Sequence, residues 1–188
     1  MKKLAIAVIL AASTLSAQAA TELVVNGNFE TGTFAGWTKS GNTSLSDIIS
    51  NTVTSNHTYV WRSGATGSPA YISQSLATSA GSTYTLSFDV FNSATSNTSF
   101  EADFNGAKIY GFSNEVRNWT HVTLSGLVAT SAATELKFGA RNDPSFLRLD
   151  NVSVTVSAVP EPETYAMLMA GLGLVGFAAR RRQRPNVG

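Results

Sequence analysis

Apolar and polar residues alternate through much of this chain. Tyr84, Leu86, Phe88 and Val90 are interleaved with Thr85, Ser87 and Asp89. Successive side chains of a strand point to opposite faces, so this run predicts a strand with one buried face. Phe100, Ala102 and Phe104 repeat the alternation around Glu101 and Asp103. So do Val122 and Leu124 after Trp119, then Leu136, Phe138 and Ala140, and finally Val152, Val154 and Val156. Ser, Thr, Asn and Gly crowd the intervening stretches and supply turn residues at short intervals. No helical period runs through residues 20–158, so this part is expected to be all-β, a β-sandwich or jelly roll. The phase slips once. Leu147 and Leu149 fall on odd numbers, whereas Val152, Val154 and Val156 fall on even ones. Either a bulge at Asp150-Asn151 shifts the inward phase, or Leu147 and Leu149 cover the opposite face of the sheet.

Two uninterrupted apolar runs break the alternation, one at each end. Leu4 to Ala12 follows Lys2 and Lys3 and precedes Ala17-Gln18-Ala19. A basic start, a short greasy stretch and small residues make a secretory signal peptide, residues 1–19, cleaved after Ala19 or Ala20. Near the other end, Pro160 and Pro162 favour stretched backbone, so residues 159–164 are expected to form a linker. Tyr165 to Ala179 then carries no charge. As a helix it reaches roughly 22 Å, against the roughly 30 Å of a hydrocarbon core. Residues 165–179 are therefore expected to be a short transmembrane helix that spans with local thinning, its arginines snorkelling to the interface. A buried surface helix would show a polar face, and this run shows none. Residues 180–188, with Arg180, Arg181 and Arg182, are expected to stay cytoplasmic, which places the body beyond the membrane.

These ends distort the overall charge. The 188-residue chain has a formal balance of +1, but residues 20–158 hold seven basic and ten acidic side chains, a balance of −3. No basic patch suggests nucleic acid as a partner. The chain has no cysteine, which excludes a thiol nucleophile and a lipoprotein anchor and leaves core burial to hold an exported domain together. Its two histidines, His57 and His121, belong to no nucleophile or metal motif, and no Gly-x-Ser-x-Gly elbow occurs. Glu101 and Asp103 share one face of a strand at a spacing a glycosidase could use. Their alternation with Phe100, Ala102 and Phe104 explains them as the solvated side of that strand. The body is therefore read as non-catalytic.

The tail resembles the PEP-CTERM sorting signal of Gram-negative bacteria that make extracellular polysaccharide. The matching residues are Pro160-Glu161-Pro162, the Tyr165–Ala179 run and Arg180 to Arg182. The resemblance implies recognition and removal of the tail by an exosortase, a membrane protease-transpeptidase. It also implies a transient stay in the inner membrane and a destination at the cell surface or in the extracellular matrix. No Leu-Pro-x-Thr-Gly supports a Gram-positive sortase instead.

A second resemblance spans residues 20–158. It rests on Leu23-Val24-Val25-Asn26-Gly27-Asn28-Phe29-Glu30 continuing to Trp37, on Ile72 to Leu76 and Gly81 to Phe88, and on Leu147 to Val154. These segments are similar to the galactose-binding-like jelly roll shared by several families of carbohydrate-binding modules. Such modules often hold a structural calcium where first and last strands meet. The resemblance makes Glu30 and Asp150 side-chain candidates and Asn28 a carbonyl donor, since calcium takes oxygen ligands. The alternative is that Glu30 caps a turn and Asp150 accepts backbone hydrogen bonds. Sugar binding needs flat apolar rings with polar groups beside them. Tyr59, Trp61 and Tyr71, with Gln74, are the candidates for a polysaccharide site; Trp37 and Trp119 are expected in the core. A structural matrix protein or adhesin without specific glycan binding is the competing class.

Overall fold

The computed structural model describes residues 21–51, 58–143, 145–157 and 162–182. The expected signal peptide, and Pro160 and Glu161 of the sorting motif, lie outside the described residues. Ten strands follow in order: β1 Thr38–Gly41, β2 Ser46–Ser50, β3 Tyr59–Ser63, β4 Ala70–Ala77, β5 Thr83–Asn92, β6 Thr98–Phe104, β7 Ala107–Ser113, β8 Arg117–Val128, β9 Ala133–Asn142 and β10 Leu147–Val156. One helix, α1, spans Pro162–Arg182.

The strands form two five-stranded sheets, in the orders β1-β4-β9-β6-β7 and β2-β3-β10-β5-β8. Every named pairing is antiparallel. The first is called the front sheet here and the second the back sheet. This is the expected jelly-roll sandwich. Period-two alternation gives each sheet one apolar inner face. On β5 the inward set is Tyr84, Leu86, Phe88 and Val90, each almost wholly buried. Phe88 reaches across from the back sheet to Phe100 and Phe138 of the front sheet, with ring centroids 5.7 and 5.3 Å away. Phe100 stacks in turn on Phe112 and Phe138. Offset and edge-to-face ring pairs add to the burial energy that holds the two layers together.

Of the two readings of the phase slip, the bulge is the one found. Leu147, Leu149, Val152 and Val154 are all buried, and the register between β10 and β5 shifts between Asp150 and Ser153. Asn151 takes a left-handed φ of 50°, which asparagine tolerates better than most residues.

The N-terminal segment ties the sandwich shut. Leu23 N–H donates to the Val154 carbonyl, and Val152 N–H to the Gly27 carbonyl, each at 2.9 Å. Gly27 sits so close to β10 that a Cβ would overlap the Val152 carbonyl oxygen. The following turn is organised by Asn26, whose amide donates to the carbonyls of Thr33 and Ala35 and whose carbonyl accepts from Trp37 Nε1 at 3.1 Å. Trp37 is buried against Phe29, as expected.

At the C-terminus the structure moves a boundary. Helix α1 begins at Pro162, inside the segment expected to be linker, because proline's fixed φ suits the first helical position and its missing N–H is not needed there. The helix continues through Arg180 to Arg182. Among the described residues, no helix is long and apolar enough to cross a membrane. Its apolar side chains nonetheless stand in solvent; Met167, Leu174 and Phe177 are about 70 % exposed.

Three substitutions test this core. Phe88→Ala removes the ring that bridges the sheets and is expected to cost about 3–5 kcal/mol. Gly27→Ala forces the N-terminal segment off β10 and lowers the melting temperature, whereas Gly81→Ala, which meets no atom within 4 Å but has a φ of +80°, is expected to cost only about 1 kcal/mol. Urea unfolding followed by tryptophan fluorescence reads all three.

Candidate functional site

The outer face of the front sheet gathers the polar and aromatic side chains most suited to a ligand. Inward placement of Ile72, Gln74 and Leu76 on β4 turns Tyr71, Ser73 and Ser75 outward. On β9, burial of Leu136 and Phe138 turns Lys137 and Gly139 outward, and on β6 Phe100 and Ala102 turn Glu101 outward. Tyr71, Gly139, Glu101 and Gly111 then pair side by side across four strands.

Glycine shapes this row. A Cβ on Gly139 would lie 2.6 Å from Tyr71 Cε1 and 2.9 Å from Glu101 Cγ, and one on Gly41 would lie 2.8 Å from Tyr71 Cδ2. The Tyr71 ring therefore lies down against bare backbone on both neighbouring strands instead of standing off the sheet. Glycine within a strand permits such close approach.

Charged groups frame the ring. Lys137 Nζ is 2.9 Å from Asp103 Oδ2 and 5.5 Å from the Tyr71 ring centroid. Lys108 Nζ is 3.6 Å from Glu101 Oε2. Burial pushes the Tyr71 hydroxyl above its ordinary pKa, and the adjacent Glu101 carboxylate raises it further. The hydrogen bond that Lys137 donates to the Asp103 carboxylate raises the lysine's pKa. The two carboxylates are thus each matched to a lysine. Arg141 completes the face two residues beyond Gly139; its Nε is buried and has no acceptor among the described residues.

The other sequence candidates fall elsewhere. Trp61 does not offer its ring to a ligand: it is fully buried, with its Nε1 donating to Ser46 Oγ at 2.9 Å. Parity on β3 sends Arg62 outward and Trp61 inward. Gln74 is not a ligand group either. Its Oε1 accepts from Val25 N–H at 2.7 Å and its Nε2 donates to the Val25 carbonyl at 3.0 Å, so the amide stands in for a neighbouring strand. Tyr59 is half-buried on the back sheet, packed on the core, with its N–H donating to Glu30 Oε1 at 3.2 Å. Of the four candidates, Tyr71 alone lies on the front face. Trp119, expected in the core, is half-buried on the back sheet, packed on Phe91 at a tilt of 40° with ring centroids 5.7 Å apart. Lys137, Gly139 and Arg141 were not singled out from sequence; a glycine at an outward strand position was the available signal.

The calcium candidates sit around the junction of the first loop with the β10 bulge. Asn28 lines a hollow of about 350 Å³ together with Glu22, Asn26, Gly27, Asn151 and Ser153. Glu22 is engaged there, its carboxylate accepting from Val24 N–H, Val154 N–H and Ser153 Oγ. Asn28 Oδ1 accepts from Glu30 N–H at 3.4 Å, which makes a local turn. Asp150 is 1 % exposed, and its Oδ1 accepts from Asn151 N–H at 2.7 Å. Neither Glu30 nor Asp150 lines the hollow, and among the described residues no three acidic or histidine side chains form a metal-holding group.

Residues 158–182 match the sequence family described as the PEP-CTERM protein-sorting motif. The chain carries that motif, which implies a secreted protein processed by an exosortase. No curated protein matches the chain. Among solved structures, the sandwich is similar to a family 61 carbohydrate-binding module solved with β-1,4-galactotriose. That match has 13% identity, covers 73% of this chain and all of the module, and has a TM-score of 0.59. The C-terminal family 22 carbohydrate-binding module of a Clostridium thermocellum xylanase matches with 16% identity, coverage of 75% and 96%, and a TM-score of 0.52. The enzymatically active domain of a tailspike protein of bacteriophage CBA120 matches with 18% identity and a TM-score of 0.53, over 72% of this chain and 21% of the other. At these identities the likeness is one of fold: a β-sandwich of the carbohydrate-binding-module kind.

Gln74→Ala leaves the Val25 N–H and carbonyl without partners and is expected to cost about 1–3 kcal/mol. The loss should appear in the urea midpoint, with no change in binding at the Tyr71 face. Weakened binding without loss of stability would return Gln74 to the ligand site.

Proposed function

We propose that this protein is a non-catalytic, exosortase-processed surface or matrix protein whose front sheet binds neutral polysaccharide. The observation that carries this reading is the Tyr71 ring, laid against the strands at Gly139 and Gly41 with Glu101, Asp103 and Lys137 around it and Arg141 at the same outward parity of β9. A pyranose ring presents an apolar face to such a ring, and its hydroxyls reach for carboxylates, ammonium and guanidinium at the rim. The fold shared with modules solved with galactotriose supports the same class of ligand. Glu101 and Asp103 serve as hydrogen-bond acceptors; each is matched to a lysine on one continuous face.

The tail completes the assignment. We read α1, with its exposed apolar side chains, as a handle that rests in the inner membrane of a Gram-negative cell until the exosortase removes it. The body then stays at the surface or joins the extracellular polysaccharide.

A calcium ion at the junction of the first loop and the β10 bulge belongs to the same proposal. Asn28, Glu30 and Asp150 lie on two segments that the Gly27–Val152 hydrogen bond brings together, and their amide and carboxylate oxygens suit a hard cation. Nucleic acid is no partner of a domain with this acidic balance.

Tyr71→Ala is expected to weaken binding to β-1,4-galactan, to xylan or to the host's own exopolysaccharide by about tenfold, a stacking loss of roughly 1.4 kcal/mol, at an unchanged melting temperature. Calorimetric titration measures it; equal affinity of both proteins refutes the site. If no glycan binds and removal of residues 158–188 alone alters biofilm cohesion, the structural-matrix alternative is right. For calcium, melting the full chain in detergent with excess calcium and then with chelator should move the midpoint upward and back. An identical midpoint rules the ion out.

A further inference from the structure

The back sheet carries a second set of groups that the front-face reading leaves unused. Its outer face holds a line of side chains running across all five strands: Trp119 on β8, Phe91 on β5, Arg148 on β10, Arg62 on β3 and Asp47 on β2. The register places Arg148 opposite Phe91 on one side and Arg62 on the other, and Arg62 opposite Asp47. Five strands at about 4.8 Å spacing make the line roughly 19 Å long.

Its members are stacked. Trp119 lies 5.7 Å from Phe91, the Arg148 guanidinium 5.2 Å over Phe91, and the Arg62 guanidinium 4.3 Å over Phe146. Cations over ring faces gain from the ring quadrupole, and the planar guanidinium stacks well.

The charges are not balanced. Arg62 is satisfied by both oxygens of Asp47, at 2.6 and 2.9 Å. Arg148 pairs with no carboxylate among the described residues, and its Nε is buried without an acceptor. Burial lowers its pKa, and the neighbouring Arg62 charge lowers it further. Asp89, two residues from Phe91 on the same strand, is engaged by His121 Nδ1 at 2.6 Å and Asn151 Nδ2 at 2.8 Å. A half-buried guanidinium beside another cation, with a flat ring pair at one side, lacks one component: an anion from outside. A planar carboxylate fits the guanidinium fork.

We propose that the Trp119–Phe91–Arg148 row is a second glycan site, on the sheet opposite Tyr71, for a carboxylate-bearing sugar chain. The uronate carboxylate meets Arg148, and the neighbouring sugar ring lies on Trp119. Both rings are half-buried and packed on each other, and the cation between Phe91 and Arg62 is a planar guanidinium, which favours a carboxylate-bearing sugar chain over insertion into a bilayer. The site does not depend on glycan binding at Tyr71.

Affinity electrophoresis of the full chain in detergent, through gels containing polygalacturonate or neutral β-1,4-galactan, tests it. Polygalacturonate is expected to retard the protein, less so as sodium chloride is raised. Arg148→Gln removes an uncompensated buried charge, so the fold should survive, and the apparent Kd for polygalacturonate should rise about tenfold or more. Arg148→Lys, which keeps the charge and loses the fork, recovers only part of the binding. Trp119→Ala weakens retardation without touching the charge. Arg148→Gln leaves any retardation by neutral galactan unchanged. Should neutral galactan fail to retard the wild-type protein while polygalacturonate does so through Arg148, galactan is excluded as the Tyr71 ligand and this proposal stands. Equal retardation of wild type and Arg148→Gln by polygalacturonate overturns it. So does Arg148-dependent binding to phosphatidylglycerol vesicles in the absence of polygalacturonate binding.

Discussion

The contact of Phe88 with Phe100 and Phe138 governs the rest of this molecule. These rings join the two sheets, and because strand side chains alternate, fixing them inward fixes their neighbours outward. Glu101 faces out because Phe100 and Ala102 face in. Lys137 and Gly139 are displayed because Phe138 is buried between them. Asp89 and Phe91 emerge on the back sheet because Phe88 and Val90 do not. A one-residue slip of any of these strands would exchange core for surface and erase both outer faces at once.

The same logic explains what could be read from the sequence. The long strands β5, β6, β9 and β10 announce themselves by their alternation, and even the bulge at Asp150-Asn151 shows as a change of parity. The short edge strand β1, Thr38–Gly41, is exposed throughout and has no apolar phase to reveal it. Trp61 and Gln74 were misplaced because residue type was weighed without knowing which parity on β3 and β4 faced in. An amide that imitates a strand, as Gln74 does for Val25, has no periodic signature at all. Trp119 faces outward because it stands at odd parity to the inward Val122 and Leu124, in a register that runs unbroken from Phe88–Val122 to Val90–Thr120. The front face was half legible: Tyr71, Glu101 and Asp103 drew notice as single residues. Their assembly depended on glycines 41 and 139, which only pairing brings to either side of the ring.

The two ends of the chain obey different physics from the middle. The described residues between 21 and 157 gather their buried apolar groups in one core, and the 20–158 stretch has a mildly acidic balance. Helix α1 shows large apolar side chains to solvent, a state that is stable only beside lipid or another apolar partner. The sorting motif at 158–182 accounts for that exposure. It also explains why the net charge of the whole chain describes neither the body nor its surroundings.

The fastening of the first segment bears on the order of events. Leu23 and Gly27 are held by β10, while Val25 is held by Gln74 of the front sheet. In a chain that emerges from a translocon amino end first, the earliest part of the domain waits for the latest part. The back sheet lacks its central strand until β10, which ends at Val156, is in place. The strand that completes the domain is thus also the one that leads into the sorting motif at 158–182, so completion of the fold and presentation of the tail share one segment of chain.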